Sequence, residues 1–266
     1  MGIVNVTPDS FSGDGLGTDI PGIVEQALRM EEEEVDILDV GAESTRPGSV
    51  PVTADEETRR LVPALDAIAY RVRVPISADT YKPEVARRAL EAGATIINDQ
   101  WGLLADPGMA TLAAESGAPV ILMHNQRSSA YRHLLSDIRA SLSRSVTIAL
   151  DAGVSPENIV LDPGIGFGKT ADHNLEVLRR LGEVRDLGYP LLVGASRKST
   201  IGRVLDLPVG QRVEGTAAAV SQSISGGADI VRVHDVQHMV RVSRMTDAIV
   251  RGWRPTGWRK MGGGGI

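Results

Sequence analysis

From Gly2 to Val250 the chain repeats one pattern eight times: a short apolar run of β-formers, then a longer stretch with helical spacing. The runs are 2–6, 35–40, 74–78, 95–97, 119–123, 159–161, 191–193 and 230–233. Most lack an alternating polar face, which suits strands buried on both sides in a parallel sheet. The helical stretches are 20–34, 54–71, 83–92, 107–116, a segment ending near 151, 172–186, 209–225 and 236–250. Ile23, Ala27 and Met30 share one face of the first, and Leu61, Leu65 and Ile68 one face of the second. Pro83 stands at a favoured early helical position. Gly93, Gly117, Gly153, Gly188 and Gly227 precede strands as helix C-cap signals. Eight alternating units in 266 residues predict an α/β chain folded as a single-domain (β/α)8 TIM barrel over 1–258, with a Gly-rich tail at 259–266. The rival is an open doubly wound sheet, which usually has fewer units and a G-x-G-x-x-G turn after an early strand. No such turn follows the early runs.

The sixth unit is the centre of the reading. Ile159-Val160-Leu161 ends abruptly in Asp162, Pro163 and a Gly-rich turn. Pro163 cannot donate a ladder hydrogen bond, so pairing stops there. Gly164, Gly166 and Gly168 let the backbone come close to something bulky. A carboxylate held at the mouth of a core strand is costly unless it has a partner. A phosphate loop does not fit, because counting back from Gly168-Lys169-Thr170 puts Pro163 where the first Gly belongs.

Bulk properties narrow the function. A net charge of −6 and 3% aromatic residues argue against nucleic-acid binding. Cys is absent, which excludes disulfides and thiolate metal sites. No apolar run approaches ~18 residues, and no basic leader opens the chain. A cytoplasmic enzyme is expected. Glu31 to Glu34 sit at the wrong end of a helix for its dipole and are expected to form a solvated face.

In a barrel the chemistry sits at the C-terminal strand ends. Those ends are polar throughout: Asn5; Asp39 and Glu43; Asp79 and Thr80; Asn98 and Asp99; His124 and Asn125; Asp162; Ser196, Arg197 and Lys198; Arg232, His234 and Asp235. Asp79, Asn98 and Asp162 offer acceptors and an amide to a flat heterocycle with several N–H donors. Lys198 adds a cationic donor. Arg232 and His234 alternate along a strand and face one side, where with Asn5 they suit an anion such as phosphate. A plainer reading stands beside this one: Asp39 capping local turn amides, Asp99 capping the next helix, Asp235 an N-cap, His124 a wall residue.

Seven ordered stretches then carry a resemblance. Asn5 to Phe11, Asp39 to Gly48, Ile97-Asn98-Asp99, Leu122-Met123-His124, Asp162 to Lys169, Ser196 to Ser199 and Arg232 to Asp235 resemble the signatures of the dihydropteroate synthase family, over nearly the whole chain. The resemblance implies a TIM barrel, a homodimer and a Mg2+-assisted transferase open to sulfonamide inhibitors. Its reaction joins p-aminobenzoate to 6-hydroxymethyl-7,8-dihydropterin pyrophosphate. It implies that Asp79, Asn98, Asp162 and Lys198 hold the pterin, that Asn5 ligates magnesium, and that Asn5, Arg46, Arg232 and His234 bind pyrophosphate. Thr45, Pro47, Phe167, Ser196 and Lys198 border the p-aminobenzoate site, with Asp79, Lys198, Arg232, His234 and Arg46 as the catalytic set. The chain departs from the family's usual pattern at Ser12 to Gly15, Ala42, Ala78 and Glu31 to Glu34, leaving these pocket residues intact. Two rivals are a Lys198-dependent aldolase, which leaves Asp162 and Asn98 without a task, and the methyltetrahydrofolate-binding domain of corrinoid methyltransferases, which has no use for Arg46, Arg232 and His234. A degenerate pterin-binding paralogue is a non-enzyme alternative, opposed by the intact motifs.

Overall fold

The computed structural model describes residues 1–6, 19–44 and 50–258. Its strands are β1 (Gly2–Asn5), β2 (Leu38–Gly41), β3 (Ile76–Asp79), β4 (Ile96–Asp99), β5 (Val120–Met123), β6 (Ile159–Asp162), β7 (Leu192–Val193) and β8 (Ile230–Val231). They pair in parallel and in sequence from β1 to β6, and again from β7 to β8. Two single bridges complete the circle. Leu161 pairs with Leu191, joining β6 to β7, and Gly2 pairs with Val233, joining β8 to β1. At the second seam Ile3 N–H donates to the Val233 carbonyl at 3.0 Å, and Val233 N–H to the Met1 carbonyl at 2.9 Å. The sheet therefore closes into the (β/α)8 barrel that the eight repeats predict.

The outer helices are α1 (Ile20–Glu32), α2 (Ala54–Ala69), α3 (Pro83–Glu91), α4 (Gly108–Ser116), α5 (Leu134–Asp151), α6 (Ala171–Arg179), α7 (Gly182–Arg185), α8 (Ser199–Leu205), α9 (Val213–Ser225) and α10 (Val236–Val250). The anticipated C-cap glycines all adopt positive φ. Helix 172–186 differs from expectation. It breaks at Arg180-Leu181 into α6 and α7, and Arg180 bridges Glu176 of the first to Glu183 of the second. The expected helix 209–225 is a 3-10 turn at Val209–Gln211 and then α9. Helix α8 was not anticipated; it is seven residues long and contains Gly202, so it shows no clear apolar face.

Thr170 does begin a helix, as a capping residue rather than a phosphate ligand. Its Oγ1 accepts from His173 N–H at 3.1 Å, and its own N–H points to His173 Nδ1 at 3.4 Å. The acidic run after α1 is only partly a solvated face. Glu31 accepts from the backbone N–H groups of Arg73 at 2.5 Å and Val74 at 3.3 Å, pinning the approach to β3. Glu34, at φ 65°, forms a two-pronged pair with Arg244 of α10 at 2.7 and 2.9 Å. That pair is exposed and contributes little to stability.

Helix-facing residues such as Val4, Val40, Ala78, Ile97 and Leu161 join the buried shell between strands and helices. The opposite faces fill the barrel. Met1, Ile121 and Leu192 form its floor, with Ile37, Ile96, Val160 and Ile230 packed against them. This apolar plug leaves no pore, so anything the barrel binds is held above it. Ile121→Ala should destabilise the protein by about 2–5 kcal/mol, the usual cost of a core cavity. Chemical denaturation measures this; a loss below about 1 kcal/mol would mean the floor is not close-packed.

Candidate active site

Side chains alternate along a strand, so the residues two beyond the floor also face inward. From Ile37, Ile96, Val160 and Ile230 this step gives Asp39, Asn98, Asp162 and Arg232. On β3, Asp79 stands in the same ring. The sequence thus puts an apolar plug and a polar layer on one set of strands, one register step apart.

Arg232 organises that layer. Its Nε donates to Asp39 Oδ2 at 2.5 Å and its Nη2 to Asp79 Oδ2 at 2.7 Å. Asn98 Nδ2 lies 3.2 Å from both Asp39 oxygens. Asp39, Asp79 and Asn98 are all buried. Burial would lower the Arg232 pKa, but Asp39 and Asp79 outweigh it and hold the guanidinium charged. Asp79 responds the other way: burial pushes its carboxyl up to about 7, against the opposing pull of Arg232. Asp162 is also pushed up by burial, while the Gly164 N–H donates to its Oδ1 at 2.7 Å.

The Gly-rich turn after β6 is fitted against two neighbours. A Cβ on Gly164 would lie 1.9 Å from the His124 carbonyl oxygen, and one on Gly166 would lie 2.7 Å from Lys198 Cδ. Both glycines also have positive φ, at 70° and 84°. Lys198 Nζ donates to the Ile165 carbonyl and lies 4.2 Å from the centre of the Phe167 ring. Burial lowers the Lys198 pKa to about 8. Lys169 braces the turn from behind. Its Nζ reaches the carbonyls of Gly164 at 2.9 Å and Phe167 at 3.1 Å, and His124 Nδ1 at 2.8 Å. Burial and then the Lys169 charge hold the His124 pKa down to about 3, so its ring is neutral, while burial lowers the Lys169 pKa to about 7.

The structure thus gathers Asp79, Asn98, Asp162, Lys198, Arg232 and Phe167 around one mouth. Asn5 ends β1 at the same rim, half-buried, and no described residue bonds its side chain. His234 meets Ser196, Nδ1 to Oγ at 3.0 Å, at the ends of β8 and β7. Thr45, Arg46 and Pro47 lie outside the described residues, as do 7–18 and the tail 259–266. Three plainer expectations change. Asp39 serves Asn98 and Arg232 rather than turn amides. Asp99 accepts from Trp101 and Leu103 N–H at 2.8 and 2.7 Å, holding the turn after β4 rather than capping α4. Asp235 occupies the α10 N-cap position, but its carboxylate is taken by Arg197, at 2.5 and 3.0 Å. Sequence reasoning also passed over Gln100, whose Nε2 donates to Asp79 Oδ1. Counting two residues on from Asn98 would have found it.

A buried ring of three carboxylates, an amide and two cations suits a planar, donor-rich guest. Residues 1–234 match the family of pterin binding enzymes. The dihydropteroate synthase of Clostridium beijerinckii is 50% identical over 252 residues, covering 94% of each chain. The chain belongs to the dihydropteroate synthase family. The Bacillus subtilis dihydropteroate synthase is also 50% identical, over 94% of this chain and 88% of its own. Among solved dihydropteroate synthases, the Clostridium difficile enzyme, crystallised in the presence of pteroic acid, superposes with a TM-score of 0.90 at 48% identity, covering 94% of this chain and 96% of its own. The Yersinia pestis enzyme in a sulfonamide complex gives 0.91 at 40% identity, covering 95% and 94%.

The raised Asp79 pKa fixes the sign of a pH effect. Its folded pKa of about 7 lies above the ordinary 3.8, so the folded state favours the proton. Stability is greatest below pH ~4 on this account and is lost as pH rises towards 7. Asp79→Asn should remove that contribution. Denaturation of ligand-free wild type and variant should give a stability gap that shifts in the variant's favour between pH 4 and 7.5; a constant gap would contradict the burial effect.

Proposed function

We propose that the chain joins 6-hydroxymethyl-7,8-dihydropterin pyrophosphate to p-aminobenzoate by a dissociative substitution at the exocyclic pterin carbon. The C–O bond to pyrophosphate breaks, the aniline nitrogen forms the new C–N bond, and that nitrogen then loses a proton. The products are 7,8-dihydropteroate and pyrophosphate. The observation that carries this reading is the Asp39–Arg232–Asp79 lattice, sharing one mouth with Asn98, Asp162 and Lys198.

Asp162 and Asn98 hold the donor edge of the pterin, and Lys198 addresses a ring carbonyl or nitrogen. The ionised Asp79 stabilises positive charge as it grows on the ring system and its exocyclic carbon. Arg232 spends one N–H on each of Asp39 and Asp79, so its remaining donors are available to the departing oxygens, together with His234 and Arg46. The flat wall of Phe167, with Thr45, Pro47, Ser196 and the Lys198 stem, receives p-aminobenzoate. Sulfonamides would compete for that wall.

Magnesium fits this site as a substrate-borne ion. Mg2+ favours oxygen donors, keeps several waters and is usually held by one or two protein groups plus substrate phosphates. The uncommitted side-chain oxygen of Asn5 at the rim meets that need. Bound there with pyrophosphate, the ion would supply charge stabilisation to the leaving group. A homodimer is also proposed. Met245 and Ile249 of α10 are 63% and 71% exposed, and a second copy would cover them. No described helix is long and apolar enough to cross a membrane, and we place the reaction in the cytoplasm.

Pyrophosphate release should require both p-aminobenzoate and magnesium, and a chelator should abolish it. Release without p-aminobenzoate would point to hydrolysis instead. Asp79→Asn should lower kcat by about 10²-fold or more, in line with loss of an electrostatic stabiliser, while pterin affinity changes far less. Equal losses in both would remove Asp79 from the chemical step.

A further inference from the structure

We propose that Gln100 is a specificity-determining residue, reading an N–H of the bound pterin through its side-chain oxygen. The inference rests on the pterin reading above and extends it to a residue outside the family signatures. Gln100 follows Asn98 by two, so it continues the inward-facing line of β4 into the barrel mouth. It is 5% exposed. Its Nε2 donates to Asp79 Oδ1, while no described residue donates to its Oε1.

A buried acceptor without a donor is costly, and an apolar side chain would fill the same space without that cost. Turned round, the amide would set its oxygen against the ionised Asp79 carboxylate, two acceptors facing each other. Oε1 and Nε2 share one carbon, so the bare oxygen lies within an amide's width of Asp79, among the acceptors of the mouth. The Asp39 oxygens are already shared between Asn98 and Arg232, and Asp79 between Gln100 and Arg232. The oxygen of Gln100 is therefore an uncommitted acceptor beside the Asp79 end of the mouth, closed off from solvent in this structure, so a guest N–H reaches it by displacing a neighbouring side chain. A dihydropterin carries N–H groups on its ring and its amino substituent, and one of them satisfies this oxygen. A site built to bond a substrate N–H rejects an analogue that lacks it, because its own polar atom is then left bare.

Gln100→Met keeps the length of the side chain and removes both polar atoms. Titrating wild type and variant with a parent pterin, and with pterins in which one N–H is replaced by C–H or N-methyl, tests the assignment. Wild type should bind at least one analogue about tenfold more weakly than the parent, the usual scale for one buried hydrogen bond. In Gln100→Met that penalty should fall to about twofold or less, because the parent is weakened and the analogue is not. KM for the pterin pyrophosphate should rise about tenfold with KM for p-aminobenzoate unchanged. The same analogue penalty in both proteins overturns the proposal. So does a shifted kcat–pH profile with unchanged pterin KM, which would make Gln100 a support for Asp79 alone. Gln100→Leu is read in the same way if Gln100→Met fails to fold. A wild type that binds no parent pterin would sink the pterin reading itself. One that binds the parent, but whose analogue penalties survive the substitution, sinks only the role of Gln100.

Discussion

The buried guanidinium of Arg232 is the constraint on which the barrel mouth depends. Two carboxylates, Asp39 and Asp79, converge on it from neighbouring strands, and it comes from the last strand of the ring. Removing one partner from such a group strands a buried charge, which costs far more than the intact pair contributes. Closing β8 onto β1 is what brings Arg232 opposite residues 193 and 153 positions away in the chain. Topology and electrostatics are therefore one problem here. The apolar floor closes the ring, the ring places the cation, and the cation offsets part of the repulsion between the crowded acceptors.

The same crowding prepares the site for its guest. Each acceptor has been stripped of water during folding, and the cost is partly offset by Arg232, Lys198 and the Gly164 amide. A planar molecule with several N–H groups offsets more of it without reorganising the site. On the proposed reaction, preorganisation of this kind would favour rate enhancement, with dipoles already set where charge would develop. The fold stores this arrangement in short strands of two to four residues, whose ends come directly after their buried midpoints.

Much of this was legible in the sequence because strand ends are marked by abrupt changes of polarity. Asp162 after Ile159-Val160-Leu161 is the clearest case, and Asp79 and Asn98 follow the same rule. Gln100 is hidden because it lies in the turn beyond Asn98 and Asp99, the first polar residues after the run. Helix α8 escaped because Ser199 to Leu205 includes Gly202 and has no wide apolar stripe. The break between α6 and α7 was hidden because apolar spacing continues across it, with Leu178, Leu181 and Val184 all buried. Asp235 was a reasonable N-cap by composition, but its competitor was distant in sequence. Arg197 reaches it from the end of β7, a contact that local patterning cannot reveal.

The turn after β6 has a consequence for how the two halves of the mouth communicate. Lys198 packs on Gly166, bonds the Ile165 carbonyl and faces the Phe167 ring, while also feeling the charge of Asp162. On the proposed function, this one amine would wall both the heterocycle's compartment and the aryl compartment. A guest that drew the amine away from the carbonyl would also move the cation off the ring, so occupancy on one side would alter the other. On the proposed function, a single side chain would then couple the two reactants.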